Sequence, residues 1–385
     1  MLTAVILAGG KGTRLRPFTY HRPKPLMPVA NKAVIDYILD IIEFSDVVDR
    51  VYVSLDYLGH MIAEHIRGEP RSVEVIPLVY SSIDTADSVR KLRHLLDDDF
   101  IVLMGDIITN CDLAAFWRFH KEKKGVASVV LKGVDNPCHY GLAFLSRNDK
   151  IELFMEKPRG YDLYLASLAV GPRARYTYTN LANAGIYAFS YSILDILDDN
   201  PHLLDFGRHV FPYLVEEGYP VYGWVSEPCY WIDVGTPPTY FQANVDLLDG
   251  LASPLRPAGV YSRGIWFSNP KSVEGVVRPP VVIGSEVRIE RGSVVGPYAV
   301  LGNWAVVEEG AVIERSIIMD GAKVGYGARI YESIVGSRVE VGSETLLHKS
   351  IIEDLTRVPS STNIFDHILV TEKRGAAIEL RTRVG

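Results

Sequence analysis

Between Leu7 and Pro28 the chain gathers groups that suit a polyanion. The run Leu7-Ala-Gly-Gly-Lys-Gly-Thr-Arg-Leu-Arg-Pro17 is followed by Pro23-Lys-Pro-Leu-Met-Pro28, and no acidic residue occurs from Met1 to Ile35. Lys11, Arg14, Arg16, Arg22, Lys24 and Lys32 make that stretch formally +6, in a chain whose net charge is −7. A local positive field in an acidic protein fits a small polyanion better than a nucleic-acid duplex. The glycines Gly9, Gly10 and Gly12 let backbone N–H groups approach phosphate oxygens, and Lys11 and Arg14 add charge-assisted bonds. The spacing is not that of a Walker loop, and Leu15 stands where a dinucleotide fingerprint needs its last glycine. Glycines alone would make a plain turn; Arg14, Arg16 and Lys24 in the same acid-free stretch favour phosphate chemistry.

Such a loop needs a frame. Thr3–Leu7, Arg50–Ser54 and Phe100–Met104 read as strands and Ala33–Phe44 as a helix. Alternation of this kind implies a parallel sheet covered on both faces, an α/β domain. In such sheets ligands sit beyond the carboxyl ends of the strands. Gly9–Arg16 and Gly105–Asn110 follow two of the strands and should face one cleft.

The pattern changes near Pro270. Apolar residues recur every six positions at Ile283, Ile289, Val295, Leu301, Val307, Ile313 and Met319. The register slips after Asp320–Gly321, resumes at Val324 and Ile330, and again at Val335, Val341 and Leu347. A sustained hexapeptide period marks a left-handed parallel β-helix, a solenoid that often presents a flat face for oligomerisation. The expected division is residues 1–250 for the α/β domain, 251–276 for a linker rich in Pro, Gly and Ser, 277–358 for the β-helix and 359–385 for a tail.

Six motifs occur in a fixed order: Gly9–Pro17, Pro23–Pro28, Gly105-Asp106, Glu156-Lys157-Pro158, Asn183-Ala184-Gly185 and Asp233-Val234-Gly235. In these the chain resembles the sugar-1-phosphate nucleotidylyltransferases, and most closely the mannose-1-phosphate guanylyltransferases, which the run Tyr20–Lys32 and the hexapeptide repeat also resemble. The likeness covers nearly the whole chain. It implies a nucleotide-diphospho-sugar transferase domain with a Rossmann-like, mostly parallel sheet, followed by the β-helix. It also implies transfer of a nucleotidyl group from an NTP, GTP favoured, to a sugar-1-phosphate, mannose-1-phosphate favoured, with release of pyrophosphate.

The attacking group in that reaction is the substrate's own phosphate, already a dianion near neutral pH. No protein nucleophile or general base is then required, and catalysis reduces to positioning two polyanions and neutralising charge. By resemblance, Asp106 and Asp233 bind Mg²⁺, Arg14 holds the pyrophosphate side, Lys24 the α-phosphate region and Lys157 the sugar phosphate. Glu156, Asn183, Gly185 and Gly141 line the sugar pocket. Leu7, Ala8 and Gly9 lie near base and ribose, with Gly10, Lys11, Gly12, Thr13, Asp84 and Thr85 completing the nucleotide site.

One segment departs from the family pattern. Tyr80-Ser-Ser-Ile-Asp-Thr-Ala86 carries Asp84 where a glycine is usual, and lacks a preceding Glu or Gln. Asp84 could accept from guanine N–H groups, face a metal, or cap a helix beginning near Ala86. The stretch Gly160–Leu181, with Arg173 and Arg175, is longer than the pattern needs. Alternatives to the guanylyltransferase reading are a thymidylyl- or uridylyltransferase and a non-catalytic subunit of the same architecture. The intact Gly9–Arg14, Asp106 and Asp233 argue against the latter. A bifunctional acetyltransferase is disfavoured by the short solenoid; His348, alone there, reads as structural. Trp224, Trp231 and Tyr240 read as core or pocket walls.

Composition narrows the rest. A hydrophobic content of 48% with 23% charged residues is that of an ordinary globular protein. No apolar run reaches the roughly 18 residues that span a bilayer, and Ala4–Ala8 is too short for a signal sequence. Three scattered cysteines, Cys111, Cys138 and Cys229, suggest neither a disulfide framework nor a zinc site. The expectation is a cytoplasmic enzyme that binds NTP and sugar-1-phosphate, no nucleic acid and no membrane, and self-associates through its β-helix.

Overall fold

Four strands, Glu74–Val79, Arg50–Leu55, Thr3–Leu7 and Phe100–Met104, lie parallel in that spatial order. They belong to a computed structural model that describes residues 2–170, 179–371 and 378–382. The chain divides into two compact units. The first comprises residues 1–11, 23–25 and 35–233, the second residues 12–22, 26–34 and 234–385.

In the first unit the parallel strands are short apolar runs, and Ala4–Ile6 and Phe100–Leu103 are fully buried, as strands covered on both faces must be. The helices Val34–Ser45 and Gly59–Gly68 carry two of the crossovers between them. Beyond Phe100–Met104 the sheet becomes mixed. Leu181–Phe189 runs antiparallel to it, and Gly141–Leu145 and Ile151–Glu156 form an antiparallel hairpin. Ala127–Gly133 pairs antiparallel with Leu181–Phe189 and parallel with Val221–Val225. The strand–helix alternation in the sequence covers only the parallel part. Leu145 and Ile151 are separated by a short turn, and a parallel return needs a dozen or more residues.

An aromatic group closes the core on this side. The Phe189 and Phe206 rings lie 4.9 Å apart and the Tyr187 and Phe211 rings 5.1 Å apart. Each such buried ring contributes roughly 1.5–3 kcal/mol by leaving water. Trp224 packs on Phe116 at 5.6 Å, a core contact.

The second unit contains the left-handed β-helix. Three parallel ladders stack its coils, and the strand order within each advances by one coil per step. Val282 pairs with Val300, a step of 18 residues, but Val300 pairs with Ile317 and Ile317 with Ile334, steps of 17. The slip in the hexapeptide period therefore falls between Ile313 and Ile318, earlier than the sequence suggested. Ile318, rather than Met319, takes the place of Leu301 in the core. The same shortened corner recurs in later coils and is lined by buried Ser316, Ser333 and Ser350. Ser333 N–H donates to Ser316 Oγ at 3.1 Å and Ser350 N–H to Ser333 Oγ at 3.0 Å. A five-residue turn loses a ladder bond, and the stacked hydroxyls supply the missing acceptors.

The parallel ladders reach further than the repeat in the sequence. Ile265–Phe267, Ser272–Val273 and Val276–Val277 form the first coil, all but Val277 within the stretch expected as linker. Asn363–Phe365 and His367–Thr371 continue the last, within the stretch expected as tail. His348 pairs in register with Phe365 of the neighbouring coil, their rings 6.3 Å apart.

Two other segments pack in this second unit. Helix Pro237–Leu248 starts at a capping box in which Thr236 and Thr239 exchange hydrogen bonds. Its Tyr240 is fully buried and donates to the Pro28 carbonyl at 2.6 Å. The segments 12–22 and 26–34 of the basic stretch lie here too. Ala30 N–H donates to Asn244 Oδ1 at 2.7 Å, Asn31 Nδ2 to the Leu301 carbonyl at 2.7 Å, and Arg22 Nη2 to Ser337 Oγ at 3.0 Å. Ser337 N–H donates in turn to Asp354 Oδ1 at 2.7 Å. Burial pushes the Asp354 carboxyl up, against the opposing pull of that bond and of Arg22 and His21.

Among the described residues no helix is long and apolar enough to cross a membrane.

Candidate functional site

The site of the first unit starts at the carboxyl edge of its parallel strands. Leu7 pairs with both Ser54 and Met104, so these strands end level. Gly9 and Asp106 leave the same edge two residues later. The backbones touch there: Gly105 N–H donates to the Leu7 carbonyl at 2.8 Å. A Cβ on Gly105 would stand 2.8 Å from that oxygen and 2.9 Å from the Ala8 Cβ, which leaves room for glycine alone. Leu7 and Ala8 are buried, Gly9 is half-buried, and Gly10 and Lys11 are exposed.

Asp106 opens the short strand Ile107–Thr109, which pairs antiparallel with Trp231–Asp233 and sets Asp233 opposite Ile107. The two carboxylates, far apart in sequence, thus meet at one end of a two-stranded sheet. Lys24 lies between them, its Nζ 2.6 Å from Asp106 Oδ2 and 3.0 Å from Asp233 Oδ1. Its side chain is 7% exposed, against 28% for Asp106 and 22% for Asp233. Burial pulls the Lys24 ammonium down, but Asp106 and Asp233 outweigh it and hold it above its ordinary value. The lysine is therefore a fixed cation between two anions.

The two carboxylates keep a net negative charge even with the Lys24 ammonium beside them, and Mg²⁺ takes one or two carboxylates plus substrate phosphates. Among the described residues no group of three or more His, Cys, Asp or Glu side chains forms a ready-made metal cage. The donor set fits an ion that shares its coordination with a bound polyphosphate.

A second cluster surrounds Glu156. The residue ends its strand opposite Gly141. A Cβ on Gly141 would stand 2.6 Å from Glu156 Oε2, and one on Gly207 would stand 2.7 Å from it. Both glycines make space for this carboxylate. Lys157 Nζ lies 3.4 Å from Glu156 Oε1, and Lys157 N–H donates to the Tyr140 carbonyl at 3.0 Å.

Asn183 and Gly185 sit where the pairing register of Leu181–Phe189 shifts. Asn183 Oδ1 accepts from Gly185 N–H at 2.9 Å and its Nδ2 donates to Tyr187 Oη at 3.0 Å, so the asparagine shapes the bulge itself. Burial pushes the Tyr187 phenol up. Trp231 Nε1 donates to the Ala184 carbonyl at 2.8 Å, and its ring meets Tyr140 edge-on at 5.5 Å. The bulge is thereby tied to the strand that carries Asp233.

Asp84 caps helix Thr85–Lys91, its Oδ1 accepting from Thr85 N–H at 2.9 Å. Thr85 Oγ1 donates to Asp205 Oδ2 at 3.0 Å. Burial and then the neighbouring Asp205 push the Asp84 carboxyl up, opposed by the Thr85 N–H and Arg208. Of the three roles open in the sequence, capping is the one these contacts display.

Gly12, Thr13 and Arg14 belong to the second unit. Gly12 is left-handed at φ 61°, Thr13–Leu15 form a 3-10 turn, and Thr19 Oγ1 closes on the Gly12 carbonyl at 2.8 Å. Arg173 and Arg175 lie outside the described residues. Asp205, Gly207 and Tyr187 were missed in the sequence. The signal for Asp205 and Gly207 was only the short Asp205-Phe-Gly-Arg208 run, whose partners Thr85 and Glu156 are distant in the chain, and Tyr187 stood unmarked beside Asn183-Ala184-Gly185.

Residues 3–250 match the family profile described as Nucleotidyl transferase. The chain belongs to the nucleotidyl transferase family. Residues 277–375 of this nucleotidyl transferase match a second profile, described as the GMPPB C-terminal domain. The protein is similar to a UTP–glucose-1-phosphate uridylyltransferase of Synechocystis sp., at 29% identity over 87% of this chain and 87% of that protein. It is similar to mannose-1-phosphate guanylyltransferase 1 of Arabidopsis thaliana, at 29% identity over 87% and 86%. A glucose-1-phosphate adenylyltransferase of Clostridium novyi is 30% identical over 77% and 79%.

Proposed function

We propose that this nucleotidyl transferase joins a sugar-1-phosphate to the nucleotidyl group of an NTP and releases pyrophosphate, with GTP and mannose-1-phosphate as its preferred pair. The observation that carries the reaction class is Lys24 held between Asp106 and Asp233. The attacking sugar phosphate needs no deprotonation, so the protein must only bring two polyanions together and offset their charge. Lys24 presents a permanent cation beside the carboxylates. Asp106 and Asp233 would hold Mg²⁺, which supplies Lewis-acid stabilisation of phosphate oxygens. Glu156 in its glycine cradle accepts from sugar hydroxyls, Lys157 faces the sugar phosphate, and Asn183 and Gly185 set the wall between them. Leu7 to Lys11 bring backbone N–H groups to the nucleotide, and the part given to Arg14 rests on its place in the motif.

The guanosine preference is supported by the C-terminal profile and by relatives named for guanylyl transfer. A relative named for uridylyl transfer is equally similar, which keeps a pyrimidine enzyme as the second reading. A panel of four NTPs against mannose-, glucose- and N-acetylglucosamine-1-phosphate, read by pyrophosphate release, decides between them. The highest kcat/KM is expected for GTP with mannose-1-phosphate. Preference for UTP or dTTP overturns the guanylyl reading and leaves the reaction class; no turnover with any pair overturns both.

A further inference from the structure

The two-stranded sheet that joins Asp106 to Asp233 continues past its regular pairs. Thr109 stands opposite Trp231. One residue on, Asn110 N–H donates to the Tyr230 carbonyl at 3.3 Å while Tyr230 N–H donates to Asn110 Oδ1 at 2.6 Å. The next facing pair in the same register is Cys111 and Cys229. Continuing that register would give it the close, non-bonded type of position, where Cα atoms stand about 4.5 Å apart, while Cys111 N–H turns back to Thr109 Oγ1 at 3.2 Å. That Cα separation lies within the range a disulfide bridges. The side chains follow the backbone: each thiol shifts the ionisation of the other, Ser226 acts on both, and Cys111 Sγ lies 3.4 Å from Ser226 Oγ.

The pair is also chemically asymmetric. Cys111 is buried and Cys229 half-exposed. The hydrogen bond with Cys111 lowers the Cys229 thiol, and Ser226 and Lys132 pull the same way against burial and Glu227. The same contact, with burial, raises Cys111. The sulfur open to solvent is thus the one shifted toward thiolate, the form that reacts.

We propose that Cys111 and Cys229 form a reversible disulfide under peroxide, a covalent modification that staples the strand pair carrying Asp106 and Asp233. The Cys229 thiolate attacks one oxygen of hydrogen peroxide and becomes a sulfenic acid, with hydroxide leaving and taking up a proton. The Cys111 sulfur then attacks the Cys229 sulfur, the S–S bond forms and water leaves with the thiol proton. Two thiols are oxidised and one peroxide is reduced to two waters. Closing the bond draws the sulfurs to about 2 Å, a contraction the two strands must absorb at the end opposite the carboxylates. A displacement of about 1 Å can already cost a positioned reaction on the order of 100-fold. The effect on turnover rests on the proposed function; the bond itself does not.

The full-length protein is treated with hydrogen peroxide, blocked with N-ethylmaleimide and analysed by mass. The expected product is 2 Da lighter than the parent carrying one N-ethylmaleimide, contains a linked Cys111–Cys229 peptide, has Cys138 alkylated, and regains two free thiols, Cys111 and Cys229, with dithiothreitol. Cys138→Ser behaves the same, and Cys229→Ser forms no linkage. Sulfinic acid at Cys229 with no linked peptide, or linkage through Cys138, overturns the modification site. Turnover of the linked enzyme is expected to fall at least fivefold and to recover on reduction, with Cys229→Ser unaffected by peroxide. Linked enzyme with unchanged kcat overturns the control of activity, whatever the mass shows. If no NTP is turned over before oxidation, the proposed function has failed and the linkage result still stands by itself.

Discussion

The Nζ of Lys24 stands 2.6 Å from Oδ2 of Asp106, a contact made across 82 residues of chain. The same ammonium is within reach of Asp233, so it occupies space that a divalent cation would compete for. Lys24→Met should therefore bind Mn²⁺, used as a calorimetric substitute for Mg²⁺, several-fold more tightly than the parent. Its turnover should nevertheless fall by roughly 100-fold or more, the scale of losing one preorganised group that stabilises charge at the reacting centre. Weaker Mn²⁺ binding in this variant would show that the lysine supports the metal rather than competing with it.

Asp106→Ala and Asp233→Ala should each abolish turnover and leave the fold intact. Neither carboxylate is deeply buried, and each sits at the end of a two-stranded pairing that backbone bonds maintain. Circular dichroism and melting curves check the fold. More than a tenth of parental rate at saturating Mg²⁺ in either folded variant would remove the metal assignment.

The base preference should respond to Asp84. A carboxylate offers two acceptors to guanine N1–H and N2–H₂, and a partner lost in a buried site costs about 1–3 kcal/mol. Asp84→Gly should weaken kcat/KM for GTP on that scale and spare the other nucleotides; equal losses with all four would assign Asp84 to its helix cap alone. Asp84→Asn keeps a capping oxygen and removes a charge beside Asp205. The Asp84 carboxyl is raised in the fold by burial and then by Asp205, so its ionisation counts against the native state. The Asn variant should melt higher than the parent at neutral pH. That gain should vanish as pH falls below the usual carboxylate range, where both proteins carry a neutral side chain.

Acid should act on the first unit through His120. The ring is buried, its Nδ1 2.9 Å from Ser128 Oγ, and burial lowers its pKa from 6.5 to about 4. A neutral buried histidine contributes its full stability above pH 6.5 and loses it progressively as pH falls to about 4, on the order of 3 kcal/mol in all. Denaturant melts of parent and His120→Gln across that window test it: the parent curve should fall more steeply. Parallel curves would place the acid sensitivity elsewhere.

The solenoid should support self-association. Light scattering of the full chain is expected to give a multiple of its 42.8 kDa, and a monomeric mass would remove the interface reading of the β-helix.

Much of the site was legible because phosphate chemistry leaves local marks. An acid-free basic run, a glycine loop after a strand and Gly105-Asp106 after another are visible within short windows. What stayed hidden depends on distant partners. Asp205 matters through Thr85, 120 residues away, and Gly207 through the Glu156 carboxylate that fills its missing side chain. The hexapeptide period exposed the β-helix but misplaced its slip, because Met319 is as apolar as Ile318 and only the stacked serines mark the shortened corner. The first coil escaped notice for the opposite reason. Residues 265–277 stack in parallel only on the coil after them, with Ile265–Phe267 pairing antiparallel to Val260–Ser262 on the other side, and few of their apolar side chains are deeply buried. The cysteines looked scattered because the pairing of Thr109 with Trp231 brings them face to face only in the folded chain.

The attachment of residues 12–22 and 26–34 to helix Pro237–Leu248 and the solenoid turns restricts how such genes can recombine. Arg22 finishes on Ser337, and Ala30 on Asn244. A crossover placed in the proline-rich stretch after residue 250 would join an N-terminal half bearing Arg22 to a foreign solenoid that need not offer a hydroxyl at that turn. A crossover placed after Asp354 would keep every one of these partners in the same parent. Shuffled libraries should therefore yield active chimaeras at the later junction and few at the earlier one, although the earlier one lies between two folding motifs and the later one cuts through a continuous stack of coils.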